Sequence, residues 1–354
     1  MMASQYTRSG LFPFPNSNSP LLSSPSLFLW LSFCFTTFYY YSRLATQGQR
    51  KVRCFVYCRN KSTPRTTYGF TRFLYLPSLL MEKNGKSMIS KAIGHVSFVM
   101  RKCLFSILSI GPVPAHIAFI MDGNRRYAKR HALHQDSTNP GSGHRVGFKC
   151  LISTLQYCYE MGVKYVTVYA FSIDNFKRDP QEVQSLMDLM KEKIDELLTE
   201  DSVLKKFDAR INFWGDLQLL SEPVRLAAKK AMDMTVHNKG PVLSVCVAYT
   251  STNEITHAIE ASVREKQENA PIEVSDLDRN MYTAGCLEPD IIIRTSGETR
   301  LSNFLLWQSD FTHLQNPNPL WPEFSLRHLV WAVLEYQNVH GYLKKRKGEI
   351  EKNK

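Results

Sequence analysis

From residue 112 onward, apolar residues occur in short unbroken runs separated by longer stretches with helical spacing. Unbroken runs are typical of strands buried on both faces of a parallel sheet, because a strand with one exposed face alternates apolar and polar positions. The runs occupy residues 116–121, 164–171, 210–214, 242–249, 290–294 and 303–307. Their alternation with helices predicts a single α/β domain, in which helices flank a mostly parallel sheet of about six strands.

The clearest helical stretch is DPQEVQSLMDLMKEKIDELL, at residues 179–198. Asp179 suits the N-cap position, Pro180 suits the first turn, and Glu182 stands three residues after the cap. Its apolar residues follow the helical period of about 3.6; they are Val183, Leu186, Met187, Met190, Ile194, Leu197 and Leu198. One face of this helix is therefore expected to be buried.

Residues 1–80 differ in composition from the rest of the chain, being rich in Ser, Pro, Tyr and Arg. The run SLFLWLSFCFTTFYYY at 26–41 has three interpretations. It could be a transmembrane helix, since about 20 apolar residues span a bilayer. The acid-free segment could be an organelle transit peptide. Translation could also begin at Met81, so we expect an extension that is disordered, a transit peptide or an anchor.

Residues 81–111 carry apolar residues at helical intervals with Lys and Arg between them. This amphipathic segment could be an interfacial helix on a membrane, or a helix packed on the domain's own surface. The chain is thus expected to comprise the extension at 1–80, this segment, the α/β domain at 112–345 and a basic tail at 346–354.

The net charge of +12 is concentrated in residues 1–81, which hold seven Arg and two Lys without any Asp or Glu. The remainder carries only +3. A nucleic-acid-binding face needs basic residues clustered on folded elements, and no such stripe is present in the sequence. Composition therefore argues against a nucleic-acid partner.

Three predicted strands are followed by polar segments of the kind that bind anions. MDGNRR follows the first strand, FSIDNFKR the second and RTSGETRLSN the fifth. Ligands of open parallel sheets bind beyond the carboxyl ends of the strands. In the third segment, two guanidiniums and two hydroxyls around a glycine could surround a phosphate; they belong to Arg294, Ser296, Gly297, Arg300 and Ser302. The alternative is a surface turn whose arginines pair with carboxylates of the domain.

Asp122 is the acid of MDGNRR and stands where the first strand should end. It could be an ion-pair partner, or a ligand for Mg²⁺, which favours one or two carboxylates together with substrate phosphates. Gly123 would allow the backbone close to a ligand, and a helix starting near Asn124 would direct N–H groups at an anion. The nucleotide-binding glycine motifs and the G-x-S-x-G elbow are absent from the sequence, which disfavours nucleotide-dependent transfer and serine hydrolysis.

Four segments resemble the signature segments of the cis-prenyltransferases, the family of undecaprenyl diphosphate synthase, dehydrodolichyl diphosphate synthase and the rubber-type plant enzymes. They are HIAFIMDGNRRYAKR at 116–130, YAFSIDNFKRDPQEV at 169–183, DIIIRTSGETRLSNFLLWQ at 290–308 and LWPEF at 320–324. The resemblance covers residues 81 to 345 and is strongest to plant members. It implies repeated condensation of isopentenyl diphosphate, in cis, onto an allylic diphosphate such as farnesyl diphosphate.

The resemblance also implies roles for individual residues. Asp122 would hold Mg²⁺ at the allylic diphosphate, which would be bound by Gly123, Asn124, Arg125 and Arg126. The diphosphate of isopentenyl diphosphate would be bound by Arg178, Arg294, Arg300 and Ser302. Ser172 and Asn175 match positions tied to condensation and proton removal, and His144 matches the family's histidine in a flexible loop.

The growing prenyl chain needs an apolar tunnel. Each added isoprene has five carbons, whose burial is favourable by roughly 4 kcal/mol. The helices at 146–161 and 180–198 and the sheet are the expected walls. A long product can leave such a tunnel only for a membrane, which favours the cytosolic face of the endoplasmic reticulum, with a plastid as the alternative.

Two positions depart from the family pattern. Pro140 stands where many relatives carry an arginine that contacts the allylic phosphate, and His313 replaces a glutamate that assists Mg²⁺ in bacterial homodimers. Eukaryotic catalytic subunits also lack this glutamate and work with a Nogo-B receptor-like partner whose R-x-G tail completes the site. In this chain, the triplet Arg346–Gly348 also has the R-x-G pattern, but it is weak evidence for that tail. A separate partner subunit is therefore expected to supply it. The rival interpretations are a non-catalytic partner subunit of the same fold and a phosphate-binding module or phosphatase.

Overall fold

The computed structural model describes residues 83–131, 142–266 and 270–352. The chain divides into two units, Met1–Pro77 and Ser78–Lys354, and the first lies outside the described residues. The three interpretations of residues 26–41, the start at Met81 and the departure at Pro140 therefore also lie outside the described residues.

Six parallel strands form one sheet in the described part of the chain. They are β1 (His116–Ile120), β2 (Tyr165–Ser172), β3 (Arg210–Trp214), β4 (Val242–Tyr249), β5 (Ile291–Arg294) and β6 (His313–Gln315). Their order is β3-β4-β2-β1-β5-β6, and every neighbouring pair is parallel. Because β1 lies between β2 and β5, the carboxyl ends of these three strands meet at one edge of the sheet.

The predicted strands are confirmed for the first five runs, but the sixth prediction, at 303–307, is wrong. The backbone is left-handed at Ser302, Asn303 and Leu305, with φ of 50°, 60° and 46°. Three left-handed residues within four positions do not fit an extended strand. Phe304 and Leu305 are nevertheless buried. The apolar run therefore marks a buried turn, which an apolar pattern alone does not distinguish from a strand.

Nine helices surround this sheet within the described ranges. They are α1 (Lys83–Leu108), α2 (Asn124–Arg130), α3 (Ser142–Met161), α4 (Pro180–Leu197), α5 (Val203–Lys206), α6 (Glu222–Thr235), α7 (Ser251–Glu265), α8 (Val274–Asn280) and α9 (Leu326–Glu351). The N-cap prediction for α4 is confirmed, since the Asp179 carboxylate accepts hydrogen bonds from the amides of Gln181 and Glu182. Helix α9 continues into the predicted basic tail, where Arg346 pairs with Glu349.

Helix α1 packs on the domain through one face and exposes apolar residues on another. Phe105 and Leu108 are buried, and Arg101 pairs with Glu160 of α3 at 3.0 Å. Exposed apolar residues of α1 and of the turn that follows it are Val96, Val99, Met100, Ile107 and Ile110. Packing on the domain is therefore confirmed, and the apolar surface that an interfacial helix requires is also present. Among the described helices, none has the length and hydropathy of a membrane span.

Two glycines of α3 allow the segment after β1 to approach this helix closely. A Cβ at Gly143 would lie 2.3 Å from the carbonyl oxygen of Asn124, and a Cβ at Gly147 would lie 2.1 Å from the Asn124 Oδ1. The indole Nε1 of Trp321 donates to the Gly147 carbonyl at 2.8 Å. The absence of a side chain at these two positions therefore sets how α2 lies on α3.

We expect Gly147→Ala to lower the free energy of unfolding by about 1–3 kcal/mol, since a methyl group overpacks this contact. Gly341 is the matched control, because it is also helical and a Cβ there would meet nothing within 4 Å. Gly341→Ala should raise stability by about 0.5–1 kcal/mol through helix propensity. Urea unfolding of both variants measures this contrast, and equal effects would contradict the packing argument.

Candidate functional site

The three anion-binding segments come together at the carboxyl edge of the sheet, around a cavity of about 710 Å³. Most of the site residues predicted from the sequence line this cavity. These are Asp122, Asn124, Arg125, His144, Ser172, Asn175, Arg178, Arg294, Arg300 and Ser302. Four predicted residues are outside this lining, namely Gly123, Arg126, Ser296 and Gly297. Arg126 bonds to Asp122 and to the Ser296 hydroxyl.

The Asp122 carboxylate joins two arginines. Its Oδ1 accepts from Nη2 of Arg126 at 3.0 Å, and its Oδ2 accepts from Nη2 of Arg294 at 2.8 Å. Burial raises the pKa of the Asp122 carboxyl, but hydrogen bonds from Arg294 and Arg126 outweigh burial, so the pKa lies below its ordinary value. Asp122 is therefore ionised at neutral pH. Asp122 therefore forms ion pairs, which was one of its two interpretations. It also lines the cavity, which is a suitable position for a metal ligand.

Arg294 is the buried cation of the site, with a side chain that is 5% exposed. Its Nη1 donates to the Arg300 carbonyl at 2.6 Å and to the Ser302 Oγ at 2.5 Å. Its Nε is buried and has no hydrogen-bond partner in the described part of the chain. A buried N–H group normally has a partner. Arg294 lines the cavity, so its buried positive charge suits an anionic ligand there.

Glu298 holds two other arginines at the mouth of the cavity. It pairs with Nη1 of Arg126 at 3.4 Å and with Nη1 of Arg300 at 2.5 Å. Arg126 also donates to the Ser296 Oγ at 2.6 Å. The alternative for this turn was that its arginines pair with carboxylates of the domain, and such pairs are present. Exposed pairs of this kind contribute at most about 1 kcal/mol each, so a ligand of higher charge can replace Glu298.

Helix α2 begins at Asn124, as predicted, after a left-handed Gly123 with φ of 110°. A Cβ at Gly123 would lie 2.9 Å from the Leu320 side chain, so both the backbone conformation and the space require glycine. Asn124 donates from Nδ2 to the Met121 carbonyl at 3.1 Å. Its Oδ1 is buried and has no partner among the described residues. The glycine thus turns the chain abruptly from the strand into the helix.

Ser172 and Asn175 form a reciprocal cap just after β2. The Ser172 amide donates to the Asn175 Oδ1 at 3.0 Å, and the Ser172 Oγ accepts from the Asp174 amide at 3.2 Å. Both residues line the cavity. The cap fixes their orientation relative to the end of β2.

His144 lies in the first turn of α3, so its assignment to a flexible loop is wrong within the described residues. Burial and the nearby cations Arg178 and Arg125 together lower the pKa of His144 to about 4, although Glu182 opposes them. Glu182 pairs with both arginines, at 3.0 Å with Arg178 and 3.7 Å with Arg125. His144 is therefore neutral at pH 7.

Beyond this polar mouth the cavity is lined by apolar side chains of α3, α4 and the sheet. They are Phe148, Leu151, Val168, Phe171, Leu186, Leu189, Met190, Ile194, Leu197, Phe213, Leu243 and Val245. The walls predicted for the apolar tunnel are therefore confirmed. Lys193 also lines the cavity, with its Nζ over the Phe148 ring and paired with Glu196.

Two residues that the sequence did not single out hold Asp122 in place. The Thr295 hydroxyl donates to the Asp122 carbonyl at 2.7 Å and accepts from the Asp122 amide at 3.1 Å. The Trp321 amide donates to the same carbonyl at 2.9 Å. The strand pattern indicated that RTSG follows β5, but nothing in it showed that Trp321 returns to the end of β1.

The left-handed turn after Arg300 is held by the first turn of α7. The Ser251 amide donates to the Asn303 carbonyl at 2.8 Å, and the Ser251 Oγ accepts from the Leu306 amide at 2.9 Å. Glu254, which is fully buried, accepts hydrogen bonds from the Tyr249 hydroxyl at 2.5 Å and from the Gln308 Nε2 at 3.1 Å. This polar network was not predicted, because its members are far apart in sequence.

His313, the second departure from the family pattern, lies in β6 and does not line the cavity. Its Nε2 is 2.8 Å from the Gln315 Nε2 and 4.0 Å from the Glu335 Oε2. Within the described residues, no group of three or more His, Cys, Asp and Glu side chains is arranged to hold a metal ion. A metal at this edge would therefore need oxygen ligands from a substrate.

The sequence model of the Prenyltransf family, described as undecaprenyl diphosphate synthase, matches residues 120–343. The chain belongs to this family of prenyltransferases. The family resemblance and the fold predicted from the sequence are therefore confirmed.

Curated relatives agree with this family assignment. Dehydrodolichyl diphosphate synthase CPT3 of Solanum lycopersicum is 54% identical over 286 residues, which are 73% of this chain and 97% of the relative. Rubber cis-polyprenyltransferase HRT2 of Hevea brasiliensis is 48% identical, over 70% of this chain and 92% of its own. Dehydrodolichyl diphosphate synthase complex subunit DHDDS of Homo sapiens is 42% identical over 71% of this chain and 75% of the relative.

Proposed function

We propose that this prenyltransferase condenses isopentenyl diphosphate repeatedly, in cis, onto an allylic diphosphate, with farnesyl diphosphate as the expected primer. The observation that carries this proposal is a cavity with a cationic mouth and a long apolar interior. A prenyl diphosphate has these two chemistries, an anionic head and an apolar tail. The product is a long cis-polyprenyl diphosphate for dolichol or rubber-type synthesis.

The two diphosphates are assigned to two adjacent strand ends. The allylic diphosphate lies at the end of β1, near Gly123, Asn124, Arg125 and Arg126. The isopentenyl diphosphate is assigned to Arg294, Arg300 and Ser302 after β5 and to Arg178 after β2, all of which line the same cavity. The guanidinium of Arg294 supports this assignment, since it carries a buried positive charge and its residue lines the cavity. Charge-assisted hydrogen bonds from guanidinium groups to phosphate are among the strongest available to a protein.

The residues at the end of β1 could bind Mg²⁺ through one carboxylate, with the substrate supplying further oxygen ligands. Mg²⁺ is commonly held by one or two carboxylates together with phosphate oxygens and water. Asp122 supplies an ionised, half-buried carboxylate at the mouth of the cavity. When bound, Mg²⁺ would stabilise negative charge on the departing diphosphate. Arg126 and Arg294 already flank this carboxylate and would share that charge.

Ser172, Asn175 and His144 are assigned to the condensation and proton-removal steps. The reciprocal cap fixes Ser172 and Asn175 at the end of β2, where both residues line the cavity. His144 is neutral at pH 7, since the pKa is lowered to about 4. A neutral imidazole can accept a hydrogen bond or a proton, which an imidazolium cannot.

We further propose that the enzyme works on the cytosolic face of the endoplasmic reticulum membrane; a plastid is the alternative if the extension is a transit peptide. A long polyprenyl product has no favourable path into water, because each added isoprene makes exposure costlier by roughly 4 kcal/mol. The exposed apolar residues of α1 supply a surface for contact with lipid, with Lys102 beside them. Apolar residues flanked by cations are typical of interfacial helices.

A hetero-oligomer is the proposed assembly. The human relative is named as a complex subunit. His313 occupies the place of the glutamate that assists Mg²⁺ in the bacterial family members, so the chain lacks one carboxylate that they use. A Nogo-B receptor-like subunit is expected to complete the site.

We expect Asp122→Ala to reduce elongation by about 100-fold or more, the effect of removing a group that stabilises transition-state charge. Incorporation of labelled isopentenyl diphosphate by the assembled enzyme measures this effect. Asp195→Ala is the matched control, because Asp195 pairs with Lys191 on the exposed face of α4. Near-normal turnover of Asp122→Ala at saturating Mg²⁺ would refute the role of this carboxylate and favour a non-catalytic subunit.

Arg294→Ala should raise the KM for isopentenyl diphosphate by about 10- to 100-fold, since each charge-assisted hydrogen bond contributes about 1.5–3 kcal/mol. The KM for farnesyl diphosphate should change much less. Initial rates with each substrate varied in turn separate the two values. Arg279→Ala is the control, because Arg279 is an exposed arginine of α8 that pairs with Glu265 of α7 and with Asp276. An equal rise in both KM values would contradict the two separate diphosphate positions.

The full chain purified alone should elongate farnesyl diphosphate only weakly, and addition of a Nogo-B receptor-like subunit should restore activity. The proposed reason is the carboxylate missing at His313. Product length and rate with and without the partner measure the effect. Full activity of the chain alone would overturn the hetero-oligomer.

The double variant Val96→Asp, Val99→Asp should weaken flotation of the protein with phosphatidylcholine–phosphatidylserine vesicles by about tenfold, since two carboxylates replace apolar groups on the exposed face of α1. Val263→Asp changes an exposed valine of α7 and should leave flotation unchanged. Equal flotation of all three proteins would exclude this face of α1 from membrane contact.

A further inference from the structure

Thr295 is a fully buried residue whose hydroxyl bonds twice to the backbone of Asp122. It donates to the Asp122 carbonyl at 2.7 Å and accepts from the Asp122 amide at 3.1 Å. A threonine hydroxyl can donate once and accept twice, so one side chain here satisfies both backbone groups of one residue. The proposed chemistry does not use this hydroxyl.

These two bonds continue the connection between β1 and β5 beyond the point where the strands pair. The register of the two strands ends at Ile120 opposite Arg294. The next backbone bond, from the Thr295 amide to the Ile120 carbonyl, is long at 3.3 Å. Asp122 comes two residues after Ile120 and is followed by the left-handed Gly123. The hydroxyl of Thr295 therefore supplies the hydrogen bonds to β5 that the sheet no longer provides.

This connection fixes the distance between the two charged groups of the site. Arg294 directly precedes Thr295 in the chain, and its guanidinium donates to the Asp122 carboxylate at 2.8 Å. One residue of β5 thus contacts the Asp122 side chain while its neighbour holds the Asp122 backbone. Arg294 limits rotation of the Asp122 carboxylate, and Thr295 limits movement of the Asp122 backbone.

We propose that Thr295 is a positioning residue, which holds the Asp122 carboxylate where it can bind a divalent cation beside the Arg294 guanidinium. This inference rests on the proposed function, in which Asp122 is the metal ligand. Thr295 itself contacts neither substrate nor metal. It acts through the backbone of Asp122.

Loss of the hydroxyl should loosen Asp122 without unfolding the protein. The Asp122 amide also donates to the Ile120 carbonyl at 2.9 Å, and the Asp122 carbonyl also accepts from the Trp321 amide at 2.9 Å. Both backbone groups therefore keep a partner when the hydroxyl is removed. The largest losses of stability occur when a buried polar group is left unpaired. A valine at this position should therefore disturb the orientation of Asp122 more than it lowers the stability of the fold.

The test compares Thr295→Val, Thr295→Ser and Thr167→Val in the full chain. Thr167 is the matched control, because it is also fully buried in the sheet, and its hydroxyl bonds to His116 Nε2 at 2.8 Å rather than to the site. Mn²⁺, which shares the oxygen-ligand preference of Mg²⁺, is titrated with inorganic diphosphate present, and free Mn²⁺ is measured by electron paramagnetic resonance. Elongation rate is measured on each variant assembled with a Nogo-B receptor-like subunit, and thermal unfolding on the chain alone.

Thr295→Val should weaken Mn²⁺ binding about tenfold and lower kcat about 10- to 100-fold, with a melting temperature close to that of Thr167→Val. Thr295→Ser retains the hydroxyl and should stay within about threefold of wild type in both measurements. Thr167→Val should bind Mn²⁺ as wild type does. Asp122→Ala should abolish the same Mn²⁺ binding, which identifies the carboxylate that is titrated.

Wild-type Mn²⁺ affinity in Thr295→Val would overturn the proposal, and so would equal weakening in Thr167→Val. If Thr295→Val does not fold, Thr295→Cys takes its place, since a thiol hydrogen-bonds weakly; wild-type affinity in that variant would overturn the proposal equally. Failure of the wild-type protein to elongate farnesyl diphosphate when assembled with a Nogo-B receptor-like subunit, with Mn²⁺ bound at Asp122, would instead overturn the proposed function.

Discussion

The ion pair between Asp122 and Arg294 is the interaction on which the rest of the site depends. A guanidinium that is only 5% exposed must be paired and hydrogen-bonded to be tolerated. Its partners are the Asp122 carboxylate on the neighbouring strand end and two oxygens of the turn that follows β5. Asp122 and Arg294 are 172 residues apart in sequence. This pair can form only if β5 lies beside β1. The order of the strands therefore also determines the position of the cations at the mouth of the cavity.

Carboxylates hold the remaining arginines without fixing them. Glu182 pairs with Arg125 and Arg178, while Glu298 pairs with Arg126 and Arg300. These pairs are partly exposed, where water and salt weaken the attraction. A diphosphate carries more charge than one carboxylate and offers more oxygens, so it can take over these guanidiniums. Glu182 and Glu298 therefore keep the cations in place at low cost and oppose ligand binding only weakly.

Local patterns were sufficient for the first five strands, for α4 and its cap, and for the residues that gather at the sheet edge. They were insufficient where position depends on contacts between distant segments. Residues 303–307 are apolar because they are buried, not because they are extended, and periodicity does not separate the two cases. His144 lies in a helix whose first turn has no strong start signal. Thr295 and Trp321 reach Asp122 only through the order of the strands, which no local pattern contains.

The turn after Arg300 shows how strain can serve the site. Ser302, Asn303 and Leu305 are left-handed, and such backbone costs of order 1–3 kcal/mol for each residue that is not glycine. The conformation persists because the first turn of α7 and the buried Glu254 bond to the turn and to Gln308. In return, the Arg300 carbonyl and the Ser302 hydroxyl both meet Nη1 of Arg294. With both N–H groups of Nη1 committed to the turn and one of Nη2 to Asp122, the second N–H of Nη2 and the N–H of Nε make no hydrogen bond among the described residues. The strained turn thus directs the cation as well as burying it.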